Sequence, residues 1–289
     1  MKAAFAALAA ALTLGAAAAR AEDLALDPLP EDYRSPQHFA FELKFGTYSP
    51  NIDATGGLTG KPFSDEFVAQ DSANAGKRPD GKLLTSMEFD WQFWHGFGSL
   101  GVGVSAGLMR VSTHSFVYGT ATDGSLVSCP VVPGQLNCQR SGDTNTLSVI
   151  PLTLELVYRF DVLSKRWNIP VVPYLKGGIG YYLWWVADGS GNLAHNVDKT
   201  SQQIVNTGTC GFGGDCALGG TFGLVAHPGI ALMLDFLDPG SARTMDNELG
   251  INHTYLFCEL NYAWINGFGS ATKLNLSDTG WNAGLAFEF

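Results

Sequence analysis

Eight ionisable residues recur inside otherwise apolar segments: Glu42 and Lys44, Glu88 and Asp90, Glu155 and Arg159, Lys176, and Glu259. Within an extended segment, side chains two or four positions apart point the same way. These groups therefore share one face of each segment, and Leu43, Phe89, Leu156, Leu175 and Leu260 take the other. Carboxylates and cations gathered on one enclosed face must pair, because an isolated charge away from water is too costly. That is the chemistry of a salt-bridged polar core or, with looser pairing, of a narrow charged conduit.

Nothing in the sequence adds catalysis. An acyl-transfer or hydrolytic site needs a nucleophile, a base and an orienting group within hydrogen-bond reach. His114, His195 and His253 belong to no such motif, so the sequence nominates no catalytic residue. His227 falls on the ionisable face, where a structural histidine is expected. The glycine-rich stretch from Cys210 to Asp215 lacks the strand-to-helix setting of a phosphate loop. Cys129 and Cys138 are close in sequence, as are Cys210 and Cys216. In an oxidising compartment each close pair predicts a disulfide, although four cysteines allow three connectivities. Their spacings carry no metal-ligand signature, so neither metal nor cofactor is expected. Cys258 is left over on an apolar face with Leu256 and Leu260.

The elements that position these residues are strands. Alternation runs through about 39–46, 83–94, 99–112, 146–160, 171–185, 219–236, 251–264 and 279–289. Pro228 predicts a bulge or kink in the sixth. The connections alternate in length: 49–82, 113–145, 186–218 and 265–278 are long, and 95–98, 161–170 and 237–250 are shorter. The long segments 49–82 and 186–218 have room for a further hairpin, which would make ten strands. Strands near ten residues suit a tilted membrane crossing, and short turns on one side with long loops on the other suit a transmembrane barrel.

Composition supports the same architecture. Only 15% of the residues are charged, against about a quarter in a typical soluble domain. The net charge of −10 argues against nucleic acid as a partner. A soluble carrier barrel also alternates, with its apolar face inside. Three features favour the inverted arrangement. The polar faces mix charges with glycine, as a narrow interior needs. Phe39, Trp91, Phe93, Tyr158, Phe160, Tyr181, Trp185, Tyr262, Trp264 and Phe289 gather toward strand ends, as in interfacial aromatic girdles. Finally, the apolar last strand ends on Phe289 and would be a sticky edge unless a closed barrel paired it.

Residues 1–21 read as a cleaved secretory signal peptide: Lys2, an apolar run, then Ala19-Arg20-Ala21. The Pro-interrupted, acidic residues 22–38 read as a periplasmic linker, and 39–289 as the barrel. No later run is long and apolar enough for a transmembrane helix.

The chain resembles the small bacterial outer-membrane β-barrels of the OmpA, OmpX and OmpW type. Its ending, Asn282-x-Gly284-x-x-Phe287-x-Phe289, is similar to the C-terminal recognition pattern of that group, and Pro173 to Tyr181 is similar to a frequent strand. The resemblance implies insertion by the barrel-assembly machinery, which would read Asn282, Gly284, Phe287 and Phe289. The expected architecture is a single eight-stranded antiparallel up-and-down transmembrane barrel in outer-membrane lipid, with no enzyme activity. The expected role is structural or surface-interacting, toward an unknown extracellular ligand. Passive transport of small or amphipathic solutes, or lipid modification, are the alternatives.

Overall fold

The computed structural model describes residues 37–56, 63, 81–117, 119–120, 126–127, 139–167, 169–195 and 216–289. Eight strands form its barrel: β1 (Phe39–Tyr48), β2 (Lys82–Gly96), β3 (Gly98–Val117), β4 (Gln139–Arg159), β5 (Val171–Ala187), β6 (Leu218–Met233), β7 (His253–Trp264) and β8 (Asp278–Glu288). Each strand pairs antiparallel with the next, and β8 closes on β1. The closing ladder runs from Ala40 opposite Glu288 to Gly46 opposite Asn282. No further barrel strand occurs among the described residues. A separate two-residue pairing, 119–120 with 126–127, belongs to the β3–β4 connection.

Period-two alternation decides which side chains are enclosed. On β7, Leu256, Leu260, Tyr262 and Trp264 are exposed, while Phe257, Glu259 and Asn261 are buried. The contrast is sharpest between neighbours: Leu260 is 60% exposed and Glu259 is 1% exposed. The same division holds on β2, where Met87, Phe89, Trp91 and Phe93 face outward and Glu88, Asp90 and Gln92 face in. The barrel is apolar outside and ionised inside, the reverse of a water-soluble carrier.

Three connections lie at the turn end of the ring. The first is the single residue Phe97. The second contains the short helix α1 (Val162–Trp167). The third contains α2 (Pro239–Leu249), capped by Asp238 at its start and by the left-handed Gly250 at its end. The other four connections lie at the opposite, loop end. There the first and last loops are fastened together, with Ser49 N–H donating to Asp278 Oδ2 at 3.0 Å and Asn51 N–H to Ser277 O at 3.0 Å.

Several sequence expectations need correction. Residues 113–117 and 139–145 were expected in a loop. Instead β3 and β4 continue as a ribbon, with Val117 opposite Gln139. This extension is polar and is held by pairs such as Ser112 Oγ to Thr146 Oγ1 at 2.8 Å, so no hydrophobic period announces it. Pro228 produces no bulge. The β6–β7 register is the same at Ala226–Tyr262 and Gly229–Glu259, and only the intervening ladder pairs are missing. Pro151 leaves a similar gap toward β3. A missing N–H thus opens the ladder on one side without inserting a residue. Register shifts occur elsewhere, between Gln92 and Trp94 and between His114 and Phe116. The expected strand 219–236 ends at Met233, and the seventh begins at His253, because 234–252 turn away into α2.

Candidate functional site: the ionised lumen

Glu42 and Glu88 are direct cross-strand partners on β1 and β2. Like charges in that arrangement repel. Lys176 resolves the conflict from the opposite wall. Its Nζ lies 2.5 Å from Glu42 Oε2 and 2.7 Å from Glu88 Oε1. Its strand, β5, stands four places from β1 in either direction round the ring. The ammonium therefore bridges the full width of the lumen. Gly178 keeps the β4–β5 backbones close: a Cβ there would lie 2.0 Å from Leu154 O.

Lys44 and Arg159 complete the layer. Lys44 Nζ pairs with Glu88 and lies 3.1 Å from Glu259 Oε1 and 3.5 Å from Glu42 Oε2. Arg159 Nη2 donates to Glu42 Oε1 at 2.7 Å and also to Asp90. Neutral groups satisfy remaining acceptors. Tyr174 donates to Glu259 Oε2 at 3.0 Å, and Asn282 Nδ2 donates to Glu259 Oε1 at 3.1 Å. All eight ionisable residues singled out in the sequence are buried. Seven of them, Glu42, Lys44, Glu88, Asp90, Arg159, Lys176 and Glu259, meet in this layer through those pairs. Glu155 has other partners. It accepts from Thr153, and its Oε2 lies 2.7 Å from His227 Nδ1, whose ring also contacts Asn261 Oδ1 at 2.9 Å.

Glu288 also belongs to the lumen, although the sequence reading did not single it out. It accepts from Gln37, from Gln92 at 3.0 Å and from Tyr255 at 2.7 Å. Its alternate-position spacing from Asn282, Gly284 and Ala286 was the available signal. Beside Arg159 lies a cavity of about 10 Å³, lined also by Glu42, Tyr174, Tyr255 and Glu288, with room for about one water.

The carboxylates of Glu42, Glu88 and Asp90 approach within 4.8 Å of one another. Lys or Arg nitrogens already face both oxygens of Glu42 and Glu88 and Oδ2 of Asp90. Only Asp90 Oδ1 lacks a partner. A metal ion here would meet three resident cations, so the donor set suits salt bridges.

Toward the loop end the lumen changes character. Tyr48, Met109, Val149, Tyr182, Ile265 and Leu276 form a buried apolar layer, with Ile52 and Phe63 packed into it from the first loop. Tyr48 donates to Leu276 O at 2.7 Å. The sequence reading assigned one polar inner face to each strand and missed this layer. The signal was the loss of alternation at Leu108-Met109 and Val149-Ile150, where both faces turn apolar.

The three histidines considered for catalysis are not brought together. His114 and His195 lie toward the loop end, and His253 opens β7 at the turn end, where Nδ1 is 2.5 Å from Asp235 Oδ2. Cys258 is free and exposed on the outer face. Cys216 is disulfide-bonded, and Cys129, Cys138 and Cys210 lie outside the described residues. The C-terminal residues divide by face: Asn282 reaches into the lumen and Phe289 packs outside, while Gly284 permits close approach to β1, since a Cβ would lie 1.9 Å from Leu43 O.

No protein-family model matches the chain, and no curated protein matches it. Among solved structures the chain is similar to Ail, the attachment invasion locus protein of Yersinia pestis, solved in complex with the heparin analogue sucrose octasulfate. The TM-score is 0.37 and the identity 10%, over 88% of this chain and 97% of that one.

Proposed function

We propose that this protein is an integral outer-membrane barrel with a structural or surface-interacting role, a lumen sealed by paired charges, and no catalytic centre. One observation carries the reading: an apolar outer band encloses a buried ionised layer. Exposed Leu156, Leu175 and Leu260 alternate with buried Glu155, Lys176 and Glu259. A water-facing band of that kind would drive aggregation, whereas acyl chains solvate it at no cost.

The sealed lumen supports a non-conducting role. An eight-stranded ring is barely wide enough for its own side chains, and here a salt-bridged layer and a buried apolar layer follow one another along it. Interaction with an extracellular ligand would then fall to the loop end, where the β3–β4 ribbon projects past the last β2 pairing at Met109. Rigid scaffolds commonly present recognition on such extensions. Export through a cleaved leader of residues 1–21 and insertion by the barrel-assembly machinery complete the reading.

The test combines solubility with conductance. Purified mature protein should require detergent or lipid to stay monomeric, and planar bilayers containing it should show no steady unitary current. A folded monomer in plain buffer would end the membrane assignment. Steady single-channel conductance would leave that assignment intact and overturn the sealed lumen.

A further inference from the structure

The turn end of the barrel carries more exposed apolar surface than short connections need. Phe97, Trp167, Ile169, Phe236, Leu237 and Leu249 are all exposed, with Leu237 at 68% and Leu249 at 69%. They come from all three turn-side connections. Exposed apolar side chains that adjoin an apolar outer band point to a non-aqueous neighbour.

The rim continues the outer band. Phe97 packs edge-on to Phe160 with ring centroids 5.3 Å apart, and its carbonyl accepts from the hydroxyl of Tyr158 on β4. Phe236 and Leu237 come three and four residues after Met233, where β6 ends, and outward Ile230 is exposed on that strand. After them the chain turns into α2. Ala242, Met245 and Leu249 repeat there at i, i+3 and i+7, placing them on one side of the helix. Arg243, Asn247 and Glu248 occupy other positions and are exposed. None of the α2 residues is buried by the barrel.

We propose that α2 and the adjoining rim lie in the headgroup layer of the periplasmic leaflet, with Leu237 and Leu249 inserted at the acyl boundary and Asn247 in water. The occupant of this surface is phospholipid. The inference rests on the membrane reading above and extends it: the barrel would be anchored at its periplasmic edge by an interfacial helix as well as by its strands. The edge-to-face Phe97–Phe160 pair and the exposed Trp167 fit the same layer, since aromatic rings concentrate where headgroups meet acyl chains.

The experiment uses the full mature chain, with Cys258→Ser, folded into phosphatidylethanolamine/phosphatidylglycerol vesicles. Single nitroxide labels at Leu249→Cys, Leu237→Cys, Asn247→Cys and, as a control, Leu175→Cys are tested for collision with oxygen and with a water-soluble nickel chelate. The expected result is a positive log ratio of oxygen to nickel accessibility at 237, 249 and 175, and a negative one at 247. A negative ratio at both 237 and 249, with 175 still positive, would overturn the interfacial helix and leave the membrane reading standing. A negative ratio at 175 would overturn the membrane reading itself. Exclusion of both reagents at 237 and 249 would mean a protein cover, and would also overturn the proposal.

Discussion

Phe289 packs across the closing seam onto Phe39, with ring centroids 6.1 Å apart. The same two residues exchange backbone bonds, Phe39 N–H to Phe289 O at 2.8 Å and Phe289 N–H to Phe39 O at 2.9 Å. Phe89 joins both rings, at 5.5 Å from Phe39 and 6.3 Å from Phe289. The Phe289 side chain thus clasps β8, β1 and β2 on the outer surface.

Phe289→Ala should weaken that clasp. Each aromatic pair contributes about 0.5–1.5 kcal/mol, so losing two should cost about 1–3 kcal/mol. Urea titration in lipid vesicles measures the loss. Phe289→Tyr keeps the ring and should stay near wild type. An unchanged midpoint for Phe289→Ala would mean that the seam closes on backbone bonds alone.

Lys176→Met should be more damaging than its mirror change in a surface pair. It leaves Glu42 and Glu88 facing each other with their bridge from β5 removed. Breaking one partner of a buried ion pair costs about 3–5 kcal/mol. Adding Glu42→Gln and Glu88→Gln should recover much of the loss, since the cations left, Lys44 and Arg159, are then matched by the carboxylates of Glu259 and Asp90. Vesicle folding yield and the urea midpoint read both steps. A single substitution without effect would mean that the lumen is wetter than its burial implies.

The barrel was legible because its signal is short-range. One polar and one apolar face per strand, repeated with period two, marked eight strands and their orientation, with ten left open by the long segments 49–82 and 186–218, and Glu42, Lys44, Glu88 and Asp90 could be assigned inward from their immediate neighbours. What failed was anything decided by a different rule. The β3–β4 ribbon is stabilised by hydroxyl pairs and so lacks a hydrophobic period. The layer around Tyr48 and Leu276 depends on loops folding inward, which no local pattern encodes. Helix α2 did carry legible signs, Asp238 before Pro239 and Gly250 behind Leu249, but the alternation places 237–250 only among the shorter connections. In the lumen, the inward face was readable residue by residue, whereas the partnership of Lys176 with Glu42 is a relationship between opposite walls and needs the closed ring.

The proposed sealed lumen makes a conductance prediction. On the sealed-lumen proposal, Lys176→Ala alone should leave planar bilayers silent, because the buried apolar layer of Tyr48, Tyr182 and Leu276 stays in place. Tyr48→Ala with Tyr182→Ala should also be silent, because the charged layer remains. The combined variant should give steady unitary currents. Current from Lys176→Ala by itself would show that the apolar layer does not seal.

The cysteines can be counted. Cys216 is disulfide-bonded and Cys258 is free. With Cys129–Cys138 and Cys210–Cys216 both formed, alkylation of the denatured, unreduced exported protein should label one thiol, at Cys258. Each bond closes a short loop and should contribute about 2–3 kcal/mol. Three labelled thiols would remove one of the two bonds, and five would remove both.

The cap of α2 should respond to acid. Asp238 accepts from Gly240 N–H and Ser241 N–H, each at 3.1 Å, and from the Ser241 hydroxyl at 2.6 Å. The Ser241 hydroxyl, followed by the backbone bonds, holds the Asp238 carboxyl below its ordinary value of 3.8. A carboxylate with a depressed folded-state pKa stabilises above its unfolded value and loses that contribution as pH falls through the folded one. Helix α2 should therefore be ordered near neutrality and fray below about pH 4. A nitroxide at Asn247→Cys should sharpen its spectrum over that range in the wild-type background. With Asp238→Ala it should be mobile at every pH, because the cap is gone. With Asp238→Asn it should stay ordered into acid, since asparagine caps equally well and does not titrate. Identical acid mobility in the Asn variant and the wild type would place the transition in some other carboxylate.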